Sequence, residues 1–132
     1  MKRISEKVYL SLQMPSEEIP VSDHKRIQLA LEVLGYEHVI MPLSVLQTIY
    51  PMCRHANFDI TLTLVYREKD WVVVDVEPGD KRSSHYGLAV DFGSTTIVMQ
   101  LIDMNSGVVI DQVKAVNGQT KYGTDILSRI TF

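Results

Sequence analysis

The sequence predicts an α+β chain of two units. A small β-α-α-β-β domain spans residues 1–80, a short linker follows at 81–85, and residues 86–132 form an antiparallel three-stranded meander that opens into a helix. Three observations carry that expectation. Apolar residues recur at helical spacing up to about His55 and then switch to period two from Ile60 onward. Pro78-Gly79-Asp80-Lys81-Arg82-Ser83-Ser84-His85 is polar and rich in turn formers. Beyond it, apolar β-branched runs are joined by connections too short for a crossover helix, so neighbouring strands must be antiparallel.

Each element follows from local chemistry. Val8, Leu10, Leu12 and Met14 alternate on one face of a strand that Pro15 ends, and a loop then returns the chain to a helix start. Ser22 is a natural N-cap, and Asp23 just inside it suits the positive end of the helix dipole. Ile27, Ala30, Leu31 and Leu34 then form one helical face, and Gly35 stands where a left-handed stop is expected. A second helix runs from about Leu43 to His55, with Leu43, Leu46, Ile49 and Tyr50 expected on its buried side. Pro51 predicts a kink or a restart there. Ile60, Leu62, Leu64 and Tyr66 mark a strand, Glu68-Lys69-Asp70 a turn, and Val72, Val74 and Val76 one face of the returning strand. Three further runs, Tyr86 to Phe92, Thr95 to Asp103 and Gly107 to Val116, make the meander. After a loop from Asn117 to Tyr122, Thr124 is the expected N-cap of the last helix, with Asp125 in its first turn.

Composition narrows the function classes. Of 132 residues, 45% are hydrophobic and 22% charged, as in an ordinary folded domain rather than a disordered chain. A net charge of −3 argues against a sequence-independent nucleic-acid binder, which needs a basic stripe to displace counterions. A single cysteine, Cys53, leaves no disulfide and no cysteine-ligated iron–sulfur cluster within this chain. Beside Arg54 and His55 its thiol could be activated, but with no partner cysteine it is expected to be a buried or incidental one. His24, His38, His55 and His85 are dispersed without metal-ligand spacing. Glu6 and Lys7 interrupt any signal-peptide core, and no apolar run nears the roughly 20 residues that span a bilayer, so a cytoplasmic protein with no membrane partner is expected. Lys2-Arg3 and Lys81-Arg82 read as solvated pairs, and Trp71 with Tyr66 as packing.

Chemistry concentrates in Leu88-Ala89-Val90-Asp91-Phe92-Gly93-Ser94-Thr95-Thr96. A strand delivers a carboxylate, a glycine turns the backbone, and three hydroxyl residues follow. Glycine allows phosphate oxygens to approach backbone N–H groups, and a carboxylate can hold hydrated Mg²⁺. No G-x-x-x-x-G-K-[ST] loop is present. On spacing alone the stretch is equally a hairpin turn whose hydroxyls cap local amides.

A resemblance separates these readings. Tyr86-Gly87-Leu88-Ala89-Val90-Asp91-Phe92-Gly93-Ser94-Thr95-Thr96 resembles the first phosphate motif of the acetate-and-sugar-kinase, heat-shock chaperone and actin superfamily (ASKHA). Within it, the sequence is most similar to the ATP-dependent reductive activators of corrinoid proteins. These read roughly Y-G-L-A-V-D-I-G-T-T-T, then L-V-D-L-x-T-G, then N-P-Q-x-x-Y-G-A-D-V-I-S-R-I. Here the later blocks are Leu101-Ile102-Asp103-Met104-Asn105-Ser106-Gly107 and Asn117-Gly118-Gln119-Thr120-Lys121-Tyr122-Gly123-Thr124-Asp125-Ile126-Leu127-Ser128-Arg129-Ile130, so the match over 86–130 is nearly continuous. Ser94 stands for the family's threonine and Gly118 for its proline. The stretch from Val8 to Glu77 is similar, more weakly, to the middle domain that precedes the ATPase region.

The resemblance implies an actin-like, ribonuclease-H-like fold for residues 86–132, and a parent activity that uses ATP to return inactive Co(II) corrinoid to Co(I) for methyl transfer. It implies that Gly93, Ser94, Thr95 and Thr96 contact the phosphates of ATP and that Asp91 positions Mg²⁺. It gives Asn117, Gln119, Asp125 and Arg129 a place in cleft lining or domain closure, and it implies a corrinoid protein as partner. The family's iron–sulfur domain and the rest of its ATP cleft have no counterpart in these residues. The expectation is therefore a segment of such an activator, without catalytic residues of its own, that binds ATP weakly or not at all and self-associates through its unpaired sheet. A non-catalytic partner-binding or oligomerisation module is the alternative. A sugar- or acyl-kinase segment is disfavoured by the block from Asn117 to Ile130.

Overall fold

The computed structural model describes residues 3–131 and divides the chain between His85 and Tyr86. Lys2, of the pair Lys2-Arg3 read as solvated, and Phe132, the last residue of the second expected unit, lie outside the described residues. The architecture is α+β with two separate three-stranded antiparallel sheets.

In the first unit the order is β1 (Ser5–Ser11), α1 (Asp23–Val33), α2 (Leu43–His55), β2 (Asp59–Arg67) and β3 (Asp70–Pro78), with β2 central in the sheet. Ser22 caps α1 as expected, its hydroxyl accepting from the Lys25 N–H at 3.2 Å, and Gly35 ends the helix at φ +91°. Val8 pairs with Leu62 and Leu10 with Ile60. Together with Ile27, Leu31, Val45, Ile49, Cys53, Leu64 and Val73 they build a core against the helices. Burying an aliphatic side chain of this size gains about 1.5–3 kcal/mol, so this cluster outweighs any surface contact in the unit. The open edge of β3 is covered at Ile40, which accepts from the Val73 N–H and donates to the Trp71 carbonyl, both at 2.9 Å.

Several faces differ from the expectation: Met14 and Leu34 lie beyond the ends of β1 and α1 and are exposed, and α2 and β3 bury other residues than expected. On α2 the buried stripe is Val45, Ile49 and Cys53, while Leu43 and Tyr50 are 70% and 62% exposed. Residues four apart stack over the sheet, and Leu46 and Tyr50, each one residue further on, are rotated about 100° onto the flank. There Tyr50 carries the Arg54 guanidinium, 3.5 Å from its ring centroid, and Arg54 bonds Asp23 of α1. The helix also runs through Pro51 without interruption, because Pro51 lies on its exposed side. On β3 a bulge opposite Thr63 and Leu64 inserts one residue, so Val73 and Val76 face the core and Val74 turns outward. Glu68 and Lys69 close the hairpin at φ +48° and +84°, the doubly left-handed turn that matches strand twist.

The polar stretch from Gly79 to His85, which includes the expected linker 81–85, packs on the other face of the first sheet. Buried Thr61 donates to the Gly79 carbonyl at 2.6 Å and accepts from the Lys81 N–H at 2.9 Å. Arg82 pairs with Asp80 and lies over the Tyr9 ring, and buried His85 shares a 3.0 Å hydrogen bond with Ser5.

The second unit consists of β4 (Tyr86–Phe92), β5 (Thr96–Asp103), β6 (Val109–Val116), a 3₁₀ turn (Gly118–Tyr122) and α3 (Ile126–Ile130). The strands form the expected meander. One face carries Leu88, Val90 and Phe92 with Met99, Leu101 and Val113, all exposed. The N-cap of α3 is Asp125 in place of Thr124. Its carboxylate accepts from the Ser128 N–H at 2.8 Å and from the Ser128 hydroxyl at 2.9 Å, and the backbone bond above all holds it below the usual carboxylate range.

Candidate phosphate-binding turn

Strand β4 carries Asp91 to its last positions, and Gly93-Ser94-Thr95 then connects to Thr96, the first residue of β5. The Gly93 N–H donates to the Thr96 carbonyl at 3.0 Å. A Cβ on Gly93 would lie 2.6 Å from that same oxygen, so the turn in this shape accepts only glycine.

Residues far along the chain close around the turn. Asn117 is 4% exposed and is the one buried residue among the described residues of the second unit. Its side-chain amide donates to the Gly93 carbonyl at 3.0 Å, and its backbone N–H donates to the Thr95 carbonyl at 2.8 Å. The same side chain accepts from the Gln119 N–H at 2.9 Å, which caps the 3₁₀ turn. Arg129 of α3 donates to the Ser94 carbonyl, to the Gly123 carbonyl at 2.9 Å and to Gln119 Oε1 at 3.4 Å. The structure thus brings Gly93, Ser94, Thr95, Thr96, Asn117, Gln119 and Arg129 together. Asp125 is not among them, since its carboxylate is engaged in capping α3.

Asp91 projects from the sheet face that also bears Ala89, Val98, Gln100, Gln112 and Lys114, around an open hollow of about 370 Å³. Gln100 donates to Gln112 across it at 2.8 Å. The sequence reading did not single out Lys114 or the glutamine pair. They share a face with Asp91 only through strand register, Asp91 opposite Val98 and Val98 opposite Lys114, which no short window of sequence displays.

Among the described residues no three His, Cys, Asp or Glu side chains converge as a metal cluster. Mg²⁺ held through one carboxylate, water and phosphate oxygens needs no such cluster. Cys53 is fully buried and its thiol is pushed up to about 11, by burial first and the charge of Asp23 second, which marks it as unreactive core.

The chain matches two family models, one described as the RACo linker region over residues 1–83 and one as the RACo middle region over residues 86–132. The unit expected to resemble a middle domain therefore falls in what the family calls its linker region, and the strands from Tyr86 onward in its middle region. A curated relative, the corrinoid activation enzyme RamQ of Eubacterium limosum, is 36% identical over 61 residues, a match covering 46% of this chain and 10% of that protein. A solved structure of a reductive activator for corrinoid, iron–sulfur protein superimposes with a TM-score of 0.82 at 27% identity, covering 99% of this chain and 21% of that one. The chain thus spans a minor part of each relative.

Proposed function

The chain belongs to the RACo family, and from that premise we propose that it is the part of an ATP-dependent reductive activator that carries the first phosphate loop of an ASKHA-type domain. In this reading the whole activator returns inactive Co(II) corrinoid protein to Co(I) by adding one electron, with ATP binding and hydrolysis as the driving reaction. Both relatives are named for corrinoid activation, which supports a corrinoid protein as the partner. A cytoplasmic setting goes with it, and among the described residues no helix is long and apolar enough to cross a membrane. The electron comes from an iron–sulfur domain outside this segment, since Cys53 is a lone, buried thiol.

The observation that carries the reading is the turn after Asp91, whose glycine is sterically required and whose Gly93, Ser94 and Thr95 carbonyls are held by Asn117 and Arg129. Gly93, Ser94, Thr95 and Thr96 would hold phosphate oxygens through N–H and hydroxyl groups, and Asp91 would hold the water shell of Mg²⁺. Bound Mg²⁺ would supply charge neutralisation at the transferred phosphate. The adenosine pocket and the second phosphate loop are contributed by other parts of the activator.

NMR titration of the labelled chain with Mg-ATP tests this. Shifts confined to the amides near Asp91 to Thr96, without saturation in the submillimolar range, are expected. Shifts elsewhere with none at the turn would refute the assignment, and tight submillimolar binding would refute its being one part of a larger site.

A second reading rests on a different observation. Leu88, Val90, Phe92 and Val113 leave one face of the second sheet apolar and open, with Phe92 71% exposed. Such a face suits self-association of this chain, the occupant being a second copy. Light scattering over a dilution series should show the mass falling towards that of one chain, and a strict monomer at high concentration would remove this reading.

A further inference from the structure

We infer that Asn117, Gln119 and Arg129 are positioning residues, a bracket behind the turn that aims the N–H groups of Ser94 and Thr95 forward as a preformed anion nest. The inference rests on the phosphate-loop reading only for the identity of the anion.

In a trans peptide the carbonyl of one residue and the N–H of the next point in opposite directions. Asn117 holds the Gly93 carbonyl towards the bracket, so the Ser94 N–H must point away from it. Arg129 holds the Ser94 carbonyl in the same way, which turns the Thr95 N–H outward. The backbone N–H of Asn117 takes the Thr95 carbonyl and completes the set. Three successive carbonyls are thereby held by two residues, Asn117 and Arg129. Among the described residues, neither the Ser94 nor the Thr95 N–H donates to a backbone carbonyl. Successive N–H groups pointing into one concavity are the standard geometry for binding anions through backbone.

Arg129 would ordinarily be taken for a phosphate ligand, but the structure gives it another task. Its guanidinium is directed to two backbone carbonyls and to Gln119 Oε1, all protein oxygens held in fixed directions. A planar fork can serve several carbonyls at once, whereas an ammonium cannot hold the same set. Gly123 supports this seat, because a Cβ there would lie 2.5 Å from Ser128 Cβ, which keeps the loop tight enough for α3 to reach the turn. Asn117 is buried with both ends of its amide engaged, which makes it the fixed point of the bracket.

The test uses the whole 132-residue chain, labelled with ¹⁵N, with Arg129→Gln, Arg129→Lys, Asn117→Ala and Gln119→Ala. Without ligand, the first three variants should raise backbone mobility at Ser94 and Thr95, with the amides of the β4–β6 ladder unchanged. Gln119→Ala, which removes the longest contact, should do so least. With Mg²⁺ and inorganic pyrophosphate as probe, Arg129→Gln and Asn117→Ala should weaken binding at the turn about tenfold, as expected when preorganisation is lost. Arg129→Lys should behave like Arg129→Gln. Wild-type-like order and binding in Arg129→Lys would overturn the positioning role, since charge alone would then suffice. Unchanged mobility in Arg129→Gln and Asn117→Ala would overturn it without reference to any ligand. Bracket-dependent order with no pyrophosphate response in the parent chain would uphold the bracket and refute the phosphate reading.

Discussion

The two units hold three antiparallel strands by opposite means. In the first, Ile60, Leu62 and Leu64 of the central strand are sealed beneath two helices. In the second, the central strand carries Met99 and Leu101 at 40% and 38% exposure, and the single buried residue among those described is the polar Asn117. The first unit draws its stability from apolar burial. The second relies on ladder hydrogen bonds and on a small polar cluster gathered at one end. Three strands without a covered face are marginal, so the polar cluster matters more there than it would over a core. The region with the least core is also the one that holds the candidate site.

Truncating the same residue type in the two central strands should expose this contrast most strongly. Leu62→Ala removes a fully buried side chain, and a loss of about 2–5 kcal/mol is expected. Urea denaturation followed by Trp71, which lies in the first unit, measures it. Leu101→Ala, at a side chain already partly in water, should cost about 1 kcal/mol or less, read from amide protection in β4–β6. Equal losses would mean that the face of the second sheet is covered in solution, which would support self-association.

Gly93→Ala should have the next largest effect, and a local one. The added Cβ would meet the Thr96 backbone oxygen at 2.6 Å, and a clash against backbone cannot be relieved by a rotamer change. Forced overpacking costs about 1–3 kcal/mol, here expressed as a rearranged turn. Perturbed amides confined to the Phe92–Thr96 and Asn117–Arg129 segments, with an unaltered Trp71 signal, is the expected pattern. A change that reached the first unit would break the independence of the two.

Much of this organisation was legible in the sequence, for definable reasons. The cap at Ser22, the stop at Gly35, the limits of α2, the hairpin and the start of β4 at Tyr86 all depend on residues within a few positions of one another. The errors arose where a tertiary feature shifted a local period. The bulge beside Thr63 moved Val74 off the core face, and the narrow contact of α2 with the sheet moved Leu43 and Tyr50 off theirs. The site divides in the same way. Asp91 to Thr96 is contiguous and was found as a motif. The partners of the turn lie 24 and 35 residues away at Asn117 and Arg129, so the resemblance could flag them but their work was visible only once the chain was folded. Gly118 follows Asn117 and opens the 3₁₀ turn, which the Asn117 side chain caps.

The smallest expected effect concerns a polar contact in the unit that has a core. Tyr36 donates its phenolic hydrogen to Glu6 and packs edge-on against Trp71. Burial first, and the hydrogen bond to Glu6 second, push its hydroxyl up to about 12 from an ordinary value of 10.0. The folded state therefore holds this proton more tightly than the unfolded chain does. The associated stability is complete below about pH 10 and is lost as pH rises towards 12, where the phenolate would face the Glu6 carboxylate. Cys53, raised from 9.0 to about 11, drives a similar loss in an overlapping but lower window. Urea midpoints at several alkaline pH values should fall in the parent chain and fall less in Tyr36→Phe. The decline that remains should disappear in a Tyr36→Phe, Cys53→Ala double variant, provided Cys53→Ala is compared with its own neutral-pH midpoint to remove the cost of the cavity. Because Tyr36 is only partly buried, the shift will be modest. The second unit's ladder, which contains neither group, should show no matching decline over the same range, and if it does the alkaline loss belongs to general charge repulsion rather than to these two side chains.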